Sequence, residues 1–107
     1  NDYMVVQMVE YYYQLGEKDK ARELGIAMAN DLMVSSRFYL EFYEYAKSEF
    51  ELCGNYIYYL ADALRAGGDE ALSDKLLENF STLVSLLTGT SDKKLEEAPT
   101  QLNLNQN

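Results

Sequence analysis

The side chains best equipped for chemistry are four glutamates on one stretch, Glu41, Glu44, Glu49 and Glu51, and the single thiol of Cys53. Carboxylates projecting from facing helices can hold a pair of metal ions, but the ferritin-like form of that site also needs Glu-x-x-His pairs. The chain has no histidine, so these glutamates read as a solvated face, paired in places with Arg37 or Lys47. The same lack removes the commonest general base and the usual Ser/His and Cys/His nucleophile systems. Cys53 falls in phase with an apolar stripe and reads as a buried, inert thiol. Gly67-Gly68 has neither a strand before it nor Lys-Ser/Thr after it, which excludes a phosphate-cradling loop. The residues thus predict no catalytic group, no metal site and no cofactor.

Recognition chemistry is better represented, because the chain has ten tyrosines. Tyr39 and Tyr43 stand at i and i+4, and Tyr56 and Tyr59 at i and i+3, spacings that bring rings together on one helix face. Such clusters can serve as a platform for a peptide or a sugar ring. They can equally fill wide gaps between helices while each hydroxyl reaches water or a carbonyl. An interaction surface at Tyr39, Tyr43, Tyr56 and Tyr59 requires the rings to stay exposed on the folded domain.

Charge narrows the choice of partner. Eighteen acidic and nine basic residues give a formal net charge of -9, and the nine cations are scattered from Lys18 to Lys94 without forming a stripe. A phosphate backbone or an anionic membrane surface would repel such a chain, which leaves a protein or peptide as the expected partner and nucleic acid as an unexpected one. No apolar run approaches the roughly 18–20 residues that span a bilayer, so no membrane insertion by this segment is expected. One cysteine cannot form an internal disulfide, and the domain needs no oxidising compartment. The opening Asn1-Asp2-Tyr3-Met4 lacks an initiator methionine, as an excised piece of a longer protein would.

The elements that must position these groups are helices. Met4, Val5, Met8, Val9, Tyr12 and Leu15 recur at the 3–4 spacing of one helical face, and Gly16 supplies the left-handed position that ends a helix cheaply. A second helix opens at Glu17-Lys18-Asp19-Lys20 and continues through Ala21, Leu24, Gly25, Met28 and Leu32. The run 24–29 has no charged residue, so this helix is expected to lie between two neighbours. Ser35 or Ser36 is the expected N-cap of a third helix of about 30 residues, roughly 45 Å long, with Phe38, Phe42, Phe50, Cys53, Ile57, Leu60 and Leu64 on its stripe. It is read as continuous through Gly54, where a kink is the alternative. Gly67-Gly68 stops it, Asp69 can cap a fourth helix bearing Leu72, Leu76, Phe80, Leu83 and Leu87, and Gly89 closes that one. The fold class is all-α, a small antiparallel helical bundle over residues 1–89. Residues 90–107 are polar and rich in Asn and Gln, and are expected to form a disordered tail with at most a short turn before Pro99.

One motif is sharp. Tyr12-Tyr13-Gln14-Leu15-Gly16-Glu17-Lys18-Asp19-Lys20-Ala21 has the aromatic-to-Gly and Gly-to-Ala spacings of a tetratricopeptide (TPR) helical hairpin, in which small residues let two helices cross closely. Val5 and Val9 depart from the repeat's usual Trp and Gly/Ala, and Met33 stands near the usual proline. No 34-residue period follows. A second turn, Leu64-Arg65-Ala66-Gly67-Gly68-Asp69-Glu70-Ala71, lies 51 residues beyond the first and has the wrong Gly-to-Ala spacing, which reads as a divergent hairpin.

The order of Tyr12-Tyr13-x-x-Gly16-Glu17-Lys18-x-Lys20-Ala21, then Phe38-Tyr39-Leu40, then Gly68-Asp69 ahead of a helix near Phe80, resembles the C-terminal helical extension of a family of multi-pass bacterial membrane proteins similar to protein O-mannosyltransferases. The resemblance spans residues 3–87. It implies a non-catalytic accessory or interaction domain outside the bilayer of an inner-membrane protein, on the periplasmic side, contacting a protein, a peptide or other parts of its own parent chain. None of that family's catalytic residues maps here. The alternative is a free-standing soluble adaptor that binds basic peptides through its acidic surface.

Overall fold

The first helix is capped as its sequence invites: the Asn1 side chain accepts the Tyr3 N–H at 2.9 Å, satisfying a donor that has no partner within the helix. In the computed structural model, which describes residues 1–89, 95–98 and 102, four α-helices follow one another: α1 (Asp2–Gln14), α2 (Lys18–Glu41), α3 (Tyr43–Ala66) and α4 (Glu70–Thr88). Among the described residues there is no strand. The all-α bundle is as expected. α2 packs on α1, α3 and α4, the inner position that its uncharged 24–29 segment predicted.

The third helix begins later than the sequence suggested. Ser35 and Ser36 lie inside α2, and Ser36 is fully buried. The chain turns instead at Phe42, with φ −111° and ψ 34°, which ends α2 and opens α3. A second non-helical residue, Ala46, follows at φ −127° and ψ 28°. α3 runs unbroken through Gly54. No Gly, Pro or Asn marks this corner. The turn is placed by packing, because Leu32, Met33 and Ser36 on one side and Phe50, Cys53 and Ile57 on the other all reach the interior.

The two tight turns share a hydrogen-bond pattern. After α1, the Gly16 N–H donates to the Tyr13 carbonyl at 3.1 Å and the Glu17 N–H to that of Tyr12 at 2.9 Å; after α3, Gly68 donates to Arg65 at 3.0 Å and Asp69 to Leu64 at 2.8 Å. Each is a Schellman closure with a left-handed glycine at its centre, Gly16 at φ 77° and Gly68 at φ 95°. Matching these glycines sets a register of 52 residues, one more than Gly67 would give, and changes the reading of the second turn. Ala21 then corresponds to Ser73, both fully buried, and the Ser73 hydroxyl donates to the Ala61 carbonyl at 2.7 Å. The second hairpin therefore keeps the small residue at its crossing and adds a bond between α4 and α3.

Close contact between the hairpins depends on Gly25 of α2. A methyl group there would stand 2.9 Å from Leu64 Cδ2 and 3.9 Å from Leu60 Cδ1, so even alanine would force the leucine aside. Most of the expected tail falls outside the described residues. Of those described, Leu95–Glu97 form one 3-10 turn, and Ala98 and Leu102 are buried. Arg37 Nη1 donates to the Ala98 carbonyl, and the Leu102 N–H donates to Asn30 Oδ1, each at 2.8 Å.

Candidate functional site

The tyrosines singled out in the sequence do not assemble into one platform. The break at Phe42 puts Tyr39 on α2 and makes Tyr43 the first residue of α3, so their i, i+4 spacing no longer lies on a single helix. Tyr39, Tyr43 and Tyr56 are half-buried against the core. Tyr39 meets Phe38 edge-on at 5.7 Å and Tyr43 meets Phe50 at 5.8 Å. Phe38 and Phe42, expected inside, are exposed and pack on each other at 5.2 Å. Tyr59 alone of the four is half exposed, and its ring stands 5.8 Å from that of Tyr3 on α1, edge to face.

That Tyr3–Tyr59 pair marks one end of a groove between α1 and α3. A depression of about 340 Å³ lined by Tyr3, Glu10, Tyr59 and Asp62 adjoins another of about 380 Å³ that reaches Tyr13, Gln14 and Gly67, and the two share Glu10, Ala63 and Ala66. The floor is low because its residues are small: a methyl group on Gly67 would clash with the Tyr13 ring. Glu10 and Asp62 are exposed on opposite helices, which puts two carboxylates on one narrow channel. Glu41, Glu44, Glu49 and Glu51 are exposed, and Arg37, expected beside them, is the donor to the Ala98 carbonyl. Among the described residues no group of three or more Cys, Asp and Glu side chains could hold a metal ion.

The closed end of the groove is fixed by a buried polar junction that the sequence did not reveal. Asp69 occupies the N-cap position of α4, but its carboxylate makes no bond to that helix. It accepts instead from the Tyr13 hydroxyl at 2.5 Å and from Arg22 Nη1 at 2.8 Å. Asp69 is only 6% exposed, and two donors from the first hairpin compensate its desolvation. Burial raises the Tyr13 phenol above its ordinary value; the hydrogen bond to Asp69 and that carboxylate's charge raise it further, while Arg22 opposes them. Tyr13 is thereby held as a neutral donor. The only sequence signal for this junction was the pair of turns themselves, which bring Tyr13 and Asp69 to the same end of the bundle.

Cys53 is buried as its phase predicted. Burial pushes its thiol pKa up, and the charge of Asp2 adds to the rise. The nearby Ser36 hydroxyl opposes it without making a hydrogen bond of ordinary geometry to any described residue. No helix among the described residues is long and apolar enough to cross a membrane. Comparison with protein-family models, with curated proteins and with solved structures finds no match for this chain.

Proposed function

We propose that the chain is a TPR-like, non-catalytic interaction domain whose α1–α3 groove takes an extended, basic segment of a partner polypeptide. The observation that carries the reading is the groove itself, with a floor of small residues, Glu10 and Asp62 on its two walls, and the Tyr3–Tyr59 ring pair at its mouth. A Lys or Arg side chain lying along the floor meets a carboxylate on either side and can place its cation over an aromatic face. The net charge of -9 favours encounter with such a segment.

The resemblance carried by Tyr12, Tyr13, Gly16, Glu17, Lys18, Lys20 and Ala21 supplies the setting we propose, an extramembrane accessory domain of a glycosyltransferase-like membrane protein, on the periplasmic side. That setting rests on those residues alone. The groove chemistry is the same whether the basic segment comes from the parent chain or from a separate protein.

The test is a nuclear magnetic resonance titration of the 107-residue chain with an octapeptide of alternating Arg and Ser. Binding should shift the amides of α1 and α3 along the groove and weaken with added salt. The double substitution Glu10→Gln and Asp62→Asn should reduce affinity about tenfold, or about 1.4 kcal/mol. Shifts confined to other faces, or affinity unchanged in the double variant, would sink the proposal.

A further inference from the structure

The 52-residue register exposes an unfilled position in the architecture. In that register α1 matches the last 13 residues of α3, since Gln14 and Ala66 end the two helices at equivalent places. Likewise Lys18 and Glu70 begin α2 and α4. On α3, the face that receives the first hairpin carries Leu60, Leu64 and Gly67, with Gly25 of α2 set against the two leucines and Tyr13 of α1 against the glycine. The matching residues on α1 are Met8, Tyr12 and Leu15. Leu60 and Leu64 are fully buried, whereas Met8 is 48% exposed and Leu15 56%. Tyr12 is half-buried.

The correspondence extends to the second helix of each hairpin. Met8, Tyr12 and Leu24 line a depression of about 330 Å³ between α1 and α2. Their equivalents Leu60, Leu64 and Leu76 are all fully buried, the first two against Gly25 of α2, which packs on both α3 and α4. Met4 and Tyr11, also exposed, extend the apolar stripe along α1 at the 3–4 spacing of a helix-packing face. An end face made polar to keep a helical stack soluble would not carry such a stripe; the only charges in the depression are one Lys20 and one Glu23, and they balance.

We infer that the α1–α2 face receives an amphipathic helix from a partner polypeptide, seated on Met8, Tyr12 and Leu24 as α2 is seated on Leu60 and Leu64. The occupant follows from continuity with the interface between the two hairpins. It has Gly or Ala where it crosses Met8 and Tyr12, as Gly25 crosses Leu60 and Leu64, and aliphatic residues one turn to either side. This is helix-in-groove recognition, on a surface separate from the α1–α3 groove.

The probe is a synthetic peptide of residues 18–41 of this chain, which carries that pattern with Gly25 at the crossing. Added to the intact 107-residue protein, it should bind saturably at one site, gain helical circular dichroism, and shift amides of α1 and the first half of α2. Met8→Glu, on a half-exposed side chain, should fold normally and weaken binding at least tenfold, whereas Tyr59→Ala in the other groove should leave it unchanged. Lack of saturable binding, shifts centred on α3 and α4, or wild-type affinity in Met8→Glu would each overturn the inference.

Discussion

Substituting Tyr13 by Phe tests the buried junction that joins the first hairpin to the second. The change removes one oxygen and leaves the ring against Gly67, so Asp69 keeps only Arg22 as a side-chain donor while staying 6% exposed. A hydrogen bond to a charged group is worth about 1.5–3 kcal/mol, and about 2 kcal/mol is expected here. With an unfolding entropy of about 2.1 cal/mol/K per residue, the midpoint of a chain this size should drop by about 9 °C. The pH dependence follows from the direction of the Tyr13 shift. Its folded pKa lies above the ordinary tyrosine value of 10.0, so above that pH the unfolded chain loses this proton first and the native state binds more protons. Stability contributed by the neutral phenol is therefore full below about pH 10 and is lost as pH rises toward the folded value. The Phe variant has no such proton, and the gap between wild type and variant, constant through neutral pH, should narrow above about pH 10. Thermal unfolding at pH 7 measures the midpoint, and urea denaturation from pH 7 to pH 11, both followed by circular dichroism, measures the gap. A midpoint within 2 °C of wild type at pH 7, or a gap that widens in alkali, would refute the assignment of Tyr13 as the donor that holds Asp69.

Gly16→Ala should cost about 1 kcal/mol, measured by urea denaturation, because the residue sits at φ 77° in open space and only the left-handed backbone resists a side chain. Cys53 should react with a disulfide reagent only as fast as the domain opens, since its thiol is buried and its pKa is raised; modification at the rate of a free thiol in native buffer would contradict this.

Helix existence and the tight turns were legible because they are local. Apolar residues three and four apart, and glycines where the backbone must turn left-handed, act within a few residues of themselves, and the observed C-terminal ends of α1 and α4 follow from them. The break between α2 and α3 was not legible. Phe42 has no turn chemistry, and the serines that looked like a cap are inside α2, where Ser36 is packed out of solvent. The candidate site divides in the same way. Tyr59 was picked out, but as the i+3 partner of Tyr56, whereas its ring meets Tyr3 of α1; the other pair, Tyr39 and Tyr43, is divided by the corner at Phe42. Glu10, Asp62, Ala63 and Gly67 were not picked out, because they meet across helices some fifty residues apart in the chain.

By itself the sequence determined an all-helical chain with a close-crossing hairpin at Tyr12, Gly16 and Ala21, a strongly acidic surface, and the lack of histidine. Those properties need only composition and short-range periodicity. The tertiary structure decided where α2 ends, which aromatic rings meet solvent, and which partner Asp69 serves. Each of these depends on which residues of one hairpin lie opposite those of the other, and that register is set by packing at Gly25 and Gly67 rather than by any local preference.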